Sequence, residues 1–330
     1  MPASEASVYN GYLYNDAGIR GTLQVKVAKP KNGESKITMT ILTAEEGKET
    51  VKGLLKDVDV GEVRVYGAKG RVLRLKFGAY GLVGEYGTYR IDGARNRFVS
   101  KMRTEADAAN AAISPWIGPV NVSWDGGVLT VAVAKKGKAK VSGSLADGTK
   151  VTVQTQLLIG ESLFCVPVFW TKGSASAMFT LWLSPDGASA VACGLDGASV
   201  GMPKTLAANA RFSISRDDPL WSKLSGTVLT EYLQDVAVKQ IGAKWQVDKA
   251  GKISYKGGGI DDSKAGDNPS GLKLSYKAKD GSFKGSFKVY SLSNGKLKAT
   301  TVNVVGVLVG NAAQGFATVK KTGSAVCHVE

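Results

Sequence analysis

Residues 271–310 read GLKLSYKAKDGSFKGSFKVYSLSNGKLKATTVNVVGVLVG. Apolar and polar side chains alternate through this stretch, lysine holds many of the polar positions, and Asp280-Gly281 and Asn294-Gly295 interrupt the alternation. Alternation is typical of half-buried strands, and Asp-Gly and Asn-Gly favour the tight turns of β-hairpins. The stretch therefore predicts an antiparallel meander with one apolar face and one lysine-rich face.

The same pattern occurs twice more, over residues 23–51 and over residues 129–155, with glycine again at the turns. Three copies of one meander indicate an internally repeated β architecture. From the shared alternation, Lys140 and Lys284 are expected on the outer face. The inward positions expected in the second and third copies are Val141, Gly143, Leu145, Phe283, Gly285 and Phe287.

These repeats predict an all-β fold of two or three tandem antiparallel β-barrels or sandwiches with short connecting helices. The clearest helix is expected from Thr104, as N-cap, to Ile113, and a second from Asp218-Pro219. The predicted division has a β unit over 1–103, a helical connector over 104–115, a β unit over 116–216, and a third with a leading helix over 217–330. Alternatively, the last two units form one domain.

The formal net charge of +15 over 330 residues comes mostly from lysine. Lysines on outward strand positions either oppose edge-to-edge aggregation or attract a polyanion such as an acidic glycan. Because the charge is dispersed and no nucleic-acid-binding motif occurs, a nucleic acid partner is not expected. No apolar run approaches the length of about 18 residues that a transmembrane helix needs.

Glycine recurs every third residue at Gly78, Gly81, Gly84 and Gly87. Such glycines either bend strands at a barrel corner or clear a surface on which aromatic rings stand. Exposed rings stack on the C–H faces of sugars, so the second interpretation predicts a ligand-binding platform. Its candidate residues are Tyr80, Tyr86, Tyr89, Arg90 and Trp116.

Catalytic chemistry has few candidates. The single histidine, His328, lies near the end of the chain, and no nucleotide-binding or metal-binding motif occurs. Glu85 and Asp92 are a candidate carboxylate pair for glycoside hydrolysis. Asp261, Asp262 and Asp267 also cluster, in a polar loop where solvation or a structural Ca²⁺ explains them better. No catalytic residue, cofactor or metal is predicted.

Three cysteines, Cys165, Cys193 and Cys327, cannot all pair, and no Cys-x-x-Cys spacing indicates zinc. Cys165 and Cys193 both lie in strand-like segments. They are expected either to form one cross-strand disulfide or to remain free thiols.

Several segments carry a resemblance over nearly the whole chain: NGYLYNDAGIRGTLQVKV (10–27), YGTYRIDGARNRF (86–98), GPVNVSWDGGVLTVAVAKKGKAKVSGSLADGTK (118–150), LFCVPV (163–168) and GFATVKKTGSAVCHVE (315–330). These segments resemble uncharacterised repeat β-modules of large secreted or surface proteins from bacteria of the Planctomycetes–Verrucomicrobia–Lentisphaerae group. The resemblance implies an extracellular or cell-surface location, although the first residues, MPASEASVYN, lack the features of an export signal. It assigns no functional residue.

Together these observations predict a non-catalytic, secreted carbohydrate-binding module for polysaccharide, with a bias to acidic or sulfated glycans. The alternative is a structural cell-surface protein that self-associates through strand edges. A glycoside hydrolase that uses a carboxylate pair is the third interpretation.

Overall fold

A computed structural model describes residues 6–56, 61–67, 70–204, 212–214, 246–247, 253–254, 273–293, 296–319 and 322–329. The chain forms two compact units, each made of three segments. Unit 1 comprises Met1–Ile117, Val133–Val141 and Val153–Leu195, and unit 2 comprises Gly118–Ala132, Ser142–Thr152 and Asp196–Glu330. The division into three β units stays a prediction.

The predicted all-β class is confirmed. Unit 1 contains an eight-stranded antiparallel sheet in the order β4-β3-β2-β1-β8-β7-β6-β5. Its strands are β1 (Ser7–Asn15), β2 (Gly18–Val27), β3 (Glu34–Thr43), β4 (Gly47–Lys56), β5 (Glu62–Tyr66), β6 (Val72–Phe77), β7 (Gly81–Tyr86) and β8 (Tyr89–Arg95).

This sheet is a nearly closed barrel. Its first and last strands, β4 and β5, approach each other so closely that a Cβ on Gly53 would lie 2.5 Å from Cγ1 of Val65. The alternating apolar side chains fill the interior, as the sequence pattern predicts. Residues of the first meander in this core are Leu23, Val25, Val27, Ile37, Met39, Ile41 and Val51.

The connecting helix is found, with a shifted start. Helix α1 spans Arg103–Ala112, and its N-cap is Met102, which offers no side-chain hydrogen bond. The predicted N-cap, Thr104, is therefore wrong by two residues. A short 3-10 helix follows at Ser114–Trp116, where a proline stops the α-helix.

A four-stranded sheet, in the order β13-β14-β15-β16, completes unit 1. It packs on the outside of the barrel near β1, β2 and β8 through an apolar cluster that includes Tyr12, Ile19 and Phe169. Outward-facing residues of the barrel therefore become buried at this place. The strands are β13 (Leu158–Ile159), β14 (Phe164–Lys172), β15 (Ala175–Leu183) and β16 (Ala190–Cys193).

The remaining described strands form three sheets, in the orders β12-β11-β10-β9-β17, β18-β25-β24-β23-β22-β21 and β19-β20. The first contains β9 (Gly118–Trp124), β10 (Gly127–Val133), β11 (Lys138–Leu145), β12 (Lys150–Gln156) and β17 (Ser199–Gly201). The others contain β18 (Phe212–Ile214), β19 (Gln246–Val247), β20 (Ile253–Ser254), β21 (Lys273–Lys277), β22 (Ser282–Ser293), β23 (Lys296–Val309), β24 (Ala312–Val319) and β25 (Gly323–Val329).

The second and third meanders keep their predicted faces. Val141, Leu145, Phe283 and Phe287 are buried, whereas Lys140 and Lys284 are exposed. A slip of one residue would exchange these faces, so the register inferred from alternation is confirmed.

Within unit 2, the side chain of Asn121 on β9 forms hydrogen bonds to β10, to β23 and to the turn between β21 and β22. Its side chain is fully buried, and its amide donates hydrogen bonds to the carbonyl oxygens of Asp280 at 2.9 Å and Leu308 at 2.8 Å. Its own oxygen accepts a hydrogen bond from the Thr130 hydroxyl at 2.7 Å. Both the nitrogen and the oxygen of this buried amide therefore form hydrogen bonds, as is usual for buried polar groups.

The helix predicted from Asp218 and the acidic loop with Asp261, Asp262 and Asp267 lie outside the described residues. In the part of the chain that the structure describes, no helix is both long and apolar enough to cross a membrane.

Candidate functional site

The predicted aromatic platform is wrong in its central members, Tyr86 and Tyr89. Both rings point into the barrel, with exposed fractions of 1% and 7%. The Tyr86 hydroxyl donates a hydrogen bond to the Glu49 carboxylate, and the Arg71 guanidinium lies 5.7 Å from the Tyr86 ring centroid. Burial, followed by the hydrogen bond to Glu49, raises the pKa of Tyr86, so this phenol remains a donor at neutral pH.

Hairpin geometry explains this burial. The strands β7 and β8 join through a two-residue turn that places Tyr86 directly opposite Tyr89, and Leu82 and Ile91 share their face of the sheet. All four side chains are buried. Along β7, Leu82 and Tyr86 are an even number of residues apart, as are Tyr89 and Ile91 along β8, so each pair lies on one face of its strand. This spacing to apolar neighbours is the sequence signal that assigns both tyrosine rings to the core.

The other predicted platform residues do not form a common surface. Trp116 is 3% exposed, and its indole N–H donates to the Ser184 carbonyl at 2.7 Å, so its prediction as a ligand-binding ring is also wrong. Tyr80 is 40% exposed, with the Arg97 guanidinium 4.8 Å from its ring centroid. Arg90 is exposed and forms its own ion pair at the barrel surface, with Asp16 at 2.6 Å.

The candidate carboxylate pair lies on the outer face of the barrel. Glu85 of β7 is directly opposite Arg90, and Asp92 of β8 is directly opposite Val83. Neither carboxylate lines the two cavities described below. Among the described residues, no group of three or more His, Cys, Asp and Glu side chains could hold a metal ion.

Of the two alternatives for Cys165 and Cys193, a disulfide or free thiols, the structure shows free thiols. All three cysteines are free: Cys165 and Cys327 are buried, and Cys193 is exposed. Cys165 on β14 and Cys193 on β16 are separated by the whole of β15, where their partners are Trp182 and Thr180. Two strand spacings amount to about 10 Å, beyond the roughly 7 Å that a disulfide tolerates between Cα atoms.

Thiol labelling should distinguish these cysteines. Burial raises the pKa of both Cys165 and Cys327, which keeps their thiols protonated and unreactive in the folded protein. We expect the native protein to release one equivalent of chromophore from a chromogenic disulfide reagent, through Cys193, and the unfolded protein three. A Cys193→Ser variant with no reactive thiol when native is the control. If the protein unfolded without reductant releases only one equivalent instead of three, a disulfide has formed and the free-thiol assignment is wrong.

The larger of two described cavities lies in unit 2 and encloses about 750 Å³. We call it the groove. One side is formed by the turn between β11 and β12, and the other by β21 to β24. Its lining residues are Ser144, Asp147, Gly148, Thr149, Lys150, Leu274, Ser275, Lys284, Gly285, Ser286, Asn303, Val304, Val305 and Thr318.

Hydrogen bonds fix the frame of the groove. The Thr318 hydroxyl donates to the Ala146 carbonyl at 3.2 Å and connects β24 to the β11–β12 turn. Beside it, Val128, Val307 and Phe316 pack into an apolar cluster. The position of the turn against the six-stranded sheet is thereby held by both polar and apolar contacts.

The charged groups among the described lining residues of the groove are two lysines and one aspartate. The Asp147 carboxylate is occupied within its own turn, since it accepts from the Thr149 amide at 2.8 Å and from the Thr149 hydroxyl at 2.9 Å. Lys150 and Lys284 are exposed and form no ion pair with another described residue. The groove therefore offers ammonium groups, hydroxyls and the exposed amide of Asn303 to a ligand.

A smaller cavity of about 370 Å³ lies in unit 1, where β1 begins and β8 ends. Ser7, Asn96 and Lys101 line it together with Arg95, whose guanidinium is held by Glu105 of helix α1. Its principal cation is therefore neutralised, unlike the lysines of the groove.

Sequence reasoning missed the groove. Gly148 lies at one of the glycine turns of the second copy and Lys284 is an expected outward residue of the third, but no local sequence signal places the two together. The volume of the groove falls within the range of about 300–1,000 Å³ that is usual for ligand sites.

No protein-family model and no curated protein matches the chain. Among solved structures, the isotype 1 transferrin binding protein B from Neisseria meningitidis serogroup B is a match at 11% identity, with a TM-score of 0.21. The match covers 99% of this chain and 76% of that chain. A TM-score this low carries no argument about function.

Proposed function

We propose that the protein is a non-catalytic polysaccharide-binding protein that holds an acidic or sulfated glycan in the groove of unit 2. The observation that carries the proposal is the lining of the groove, which brings the ammonium groups of Lys150 and Lys284, neither paired with a described carboxylate, beside hydroxyl and amide groups. Such a set matches a ligand with carboxylate or sulfate groups and many hydroxyls.

The chemistry of the groove differs from the aromatic platform that the sequence predicts. Among the described residues that line it there is no aromatic side chain, so ring stacking by them contributes nothing to binding there. Ionic contacts are screened by salt, whereas stacking is not. Affinity should consequently fall steadily as ionic strength rises, with no salt-resistant remainder from this site.

The overall charge supports this ligand class. A net charge of +15 raises the local concentration of a polyanion and accelerates encounter with it. The extracellular or cell-surface location that the resemblance implies would place the protein where such glycans occur. Self-association through strand edges stays a prediction.

Affinity electrophoresis tests the proposal. Gels containing heparin, polygalacturonate or neutral dextran are run at low ionic strength with the wild type and with Lys150→Gln/Lys284→Gln. We expect the two anionic gels, and not dextran, to retard the wild type. The double variant should bind about fourfold more weakly, because each exposed ionic contact contributes roughly a factor of two.

The matched control is Lys172→Gln/Lys277→Gln, which removes the same charge at exposed lysines outside the groove. Equal weakening by both double variants would assign binding to net charge alone and reject the groove. Wild-type protein that none of the anionic gels retards would reject polysaccharide binding altogether.

A further inference from the structure

The outer face of β2, β3 and β4 carries four exposed lysines, Lys26, Lys36, Lys48 and Lys52. We call it the lysine face. Lys26 lies opposite Thr38, which in turn lies opposite Lys52, so one row across the barrel reads Lys-Thr-Lys. Two strand spacings separate the lysines of this row by about 10 Å, and Lys48 lies about 13 Å further along β4.

These lysines have no acidic cross-strand partner. Lys36 lies opposite Leu54, and Lys48 lies opposite Leu42. The acidic residue of this face is Glu34, at the first position of β3, where it lies opposite Lys56. Opposite-charge pairs across strands are a usual way to stabilise an exposed sheet face, and the lysine face makes little use of them.

The other half of the same barrel is arranged differently. On the outer face of β5 to β8, Glu62 lies opposite Lys76, and Glu85 lies opposite both Arg74 and Arg90. Carboxylates are thus interspersed among the cations there, although Arg64 lies opposite Arg74. The excess positive charge of the barrel surface is concentrated on β2 to β4 rather than spread evenly.

Protection of strand edges explains only part of this concentration. Lysines oppose aggregation on edge strands, and Lys48 and Lys52 lie on the terminal strand β4. Lys26 and Lys36 lie on β2 and β3, which are interior strands with a neighbour on either side. A row of lysines that have no acidic cross-strand partner produces a positive potential on a sheet face, and this potential attracts a polyanion.

From these observations we propose that the lysine face is a second docking surface, for a linear acidic polysaccharide, independent of the groove. It shares with the proposed function only the class of ligand. Thr38, Thr40 and Thr50 place hydroxyls between the lysines, where they suit sulfate, carboxylate and sugar hydroxyl groups. No aromatic ring belongs to the outward positions of β2, β3 and β4, so the face lacks the stacking platform of a single-strand nucleic acid binder.

Two triple variants test this surface. Lys26→Gln/Lys36→Gln/Lys52→Gln removes three charges from the lysine face, and Arg64→Gln/Arg74→Gln/Lys76→Gln removes three exposed charges from the other half of the barrel. Dissociation constants for heparin and polygalacturonate are measured at low ionic strength. The lysine-face variant should bind about tenfold more weakly, as expected for three exposed ionic contacts, and the control less than about threefold. Unchanged thermal unfolding verifies that both variants are folded.

The groove variant Lys150→Gln/Lys284→Gln, measured alongside, separates the two proposals. A loss for the lysine-face variant alone supports this surface and rejects the groove. A loss for the groove variant alone supports the groove and rejects the lysine face. A variant that carries all five substitutions, with a loss equal to the product of the two separate losses, supports both sites. Equal losses for the two triple variants overturn the lysine face as a specific surface. Tighter binding to duplex DNA or to anionic phospholipid vesicles than to either polysaccharide overturns the assigned ligand class.

Discussion

Replacing Tyr86 by alanine is expected to lower the free energy of unfolding by about 3–5 kcal/mol, the usual effect of removing a large aromatic ring from a core. The ring is 1% exposed inside the barrel, and its hydroxyl is bound to Glu49. Urea unfolding followed by circular dichroism measures the change. Polysaccharide retention by the remaining folded protein should match that of the wild type, because Tyr86 does not line the groove.

Tyr66→Ala is the matched control. This ring is 66% exposed on β5, so its removal should change stability by no more than about 0.5 kcal/mol. A Tyr86→Ala protein with wild-type stability and weakened glycan retention would contradict the buried position and restore the aromatic platform.

The second large effect is expected at Asn121. Its replacement by alanine removes three hydrogen bonds, two of them buried, and leaves the carbonyls of Asp280 and Leu308 without this donor, at a cost of about 3–5 kcal/mol. Asn121→Asp should be more damaging at neutral pH, since a buried carboxylate would face two carbonyl oxygens. Urea denaturation again measures the order of stabilities.

Asn303→Ala serves as the control, because Asn303 is an exposed asparagine of the same unit. Hydrogen exchange should localise the effect of Asn121→Ala to β22 and β23, beside the lost contacts. Equal stability of the alanine and aspartate variants would contradict the hydrogen-bond assignment.

The fold could be predicted from the sequence because its signals are local. Alternation determines which face of a strand is buried, and glycine-containing turns determine where a strand reverses. Val141 and Phe287 are therefore buried and Lys284 is exposed, as expected. The start of α1 was misplaced because Met102 caps it without a side-chain hydrogen bond, which leaves no sequence signal.

The candidate sites depend on information that is not local. Tyr86 and Tyr89 were interpreted by their chemistry, as rings among glycines, although their parity with Leu82 and Ile91 assigns them to the core. Lys150 and Lys284 line one groove only because the folded unit places the β11–β12 turn and β22 on two sides of it. Cys165 and Cys193 both lie in strand-like segments of the sequence, but in the folded sheet β15 separates their two strands.

The division of each unit into three chain segments has a consequence for inheritance. No continuous piece of the gene encodes either unit, because residues 133–141 and 153–195 belong to unit 1 while residues 118–132 and 142–152 belong to unit 2. Recombination that copied only the stretch up to residue 117 would carry the eight-stranded barrel but omit the four-stranded sheet that covers its apolar outer patch. A transfer that keeps unit 1 whole must therefore extend to residue 195 and carry two segments of unit 2 with it.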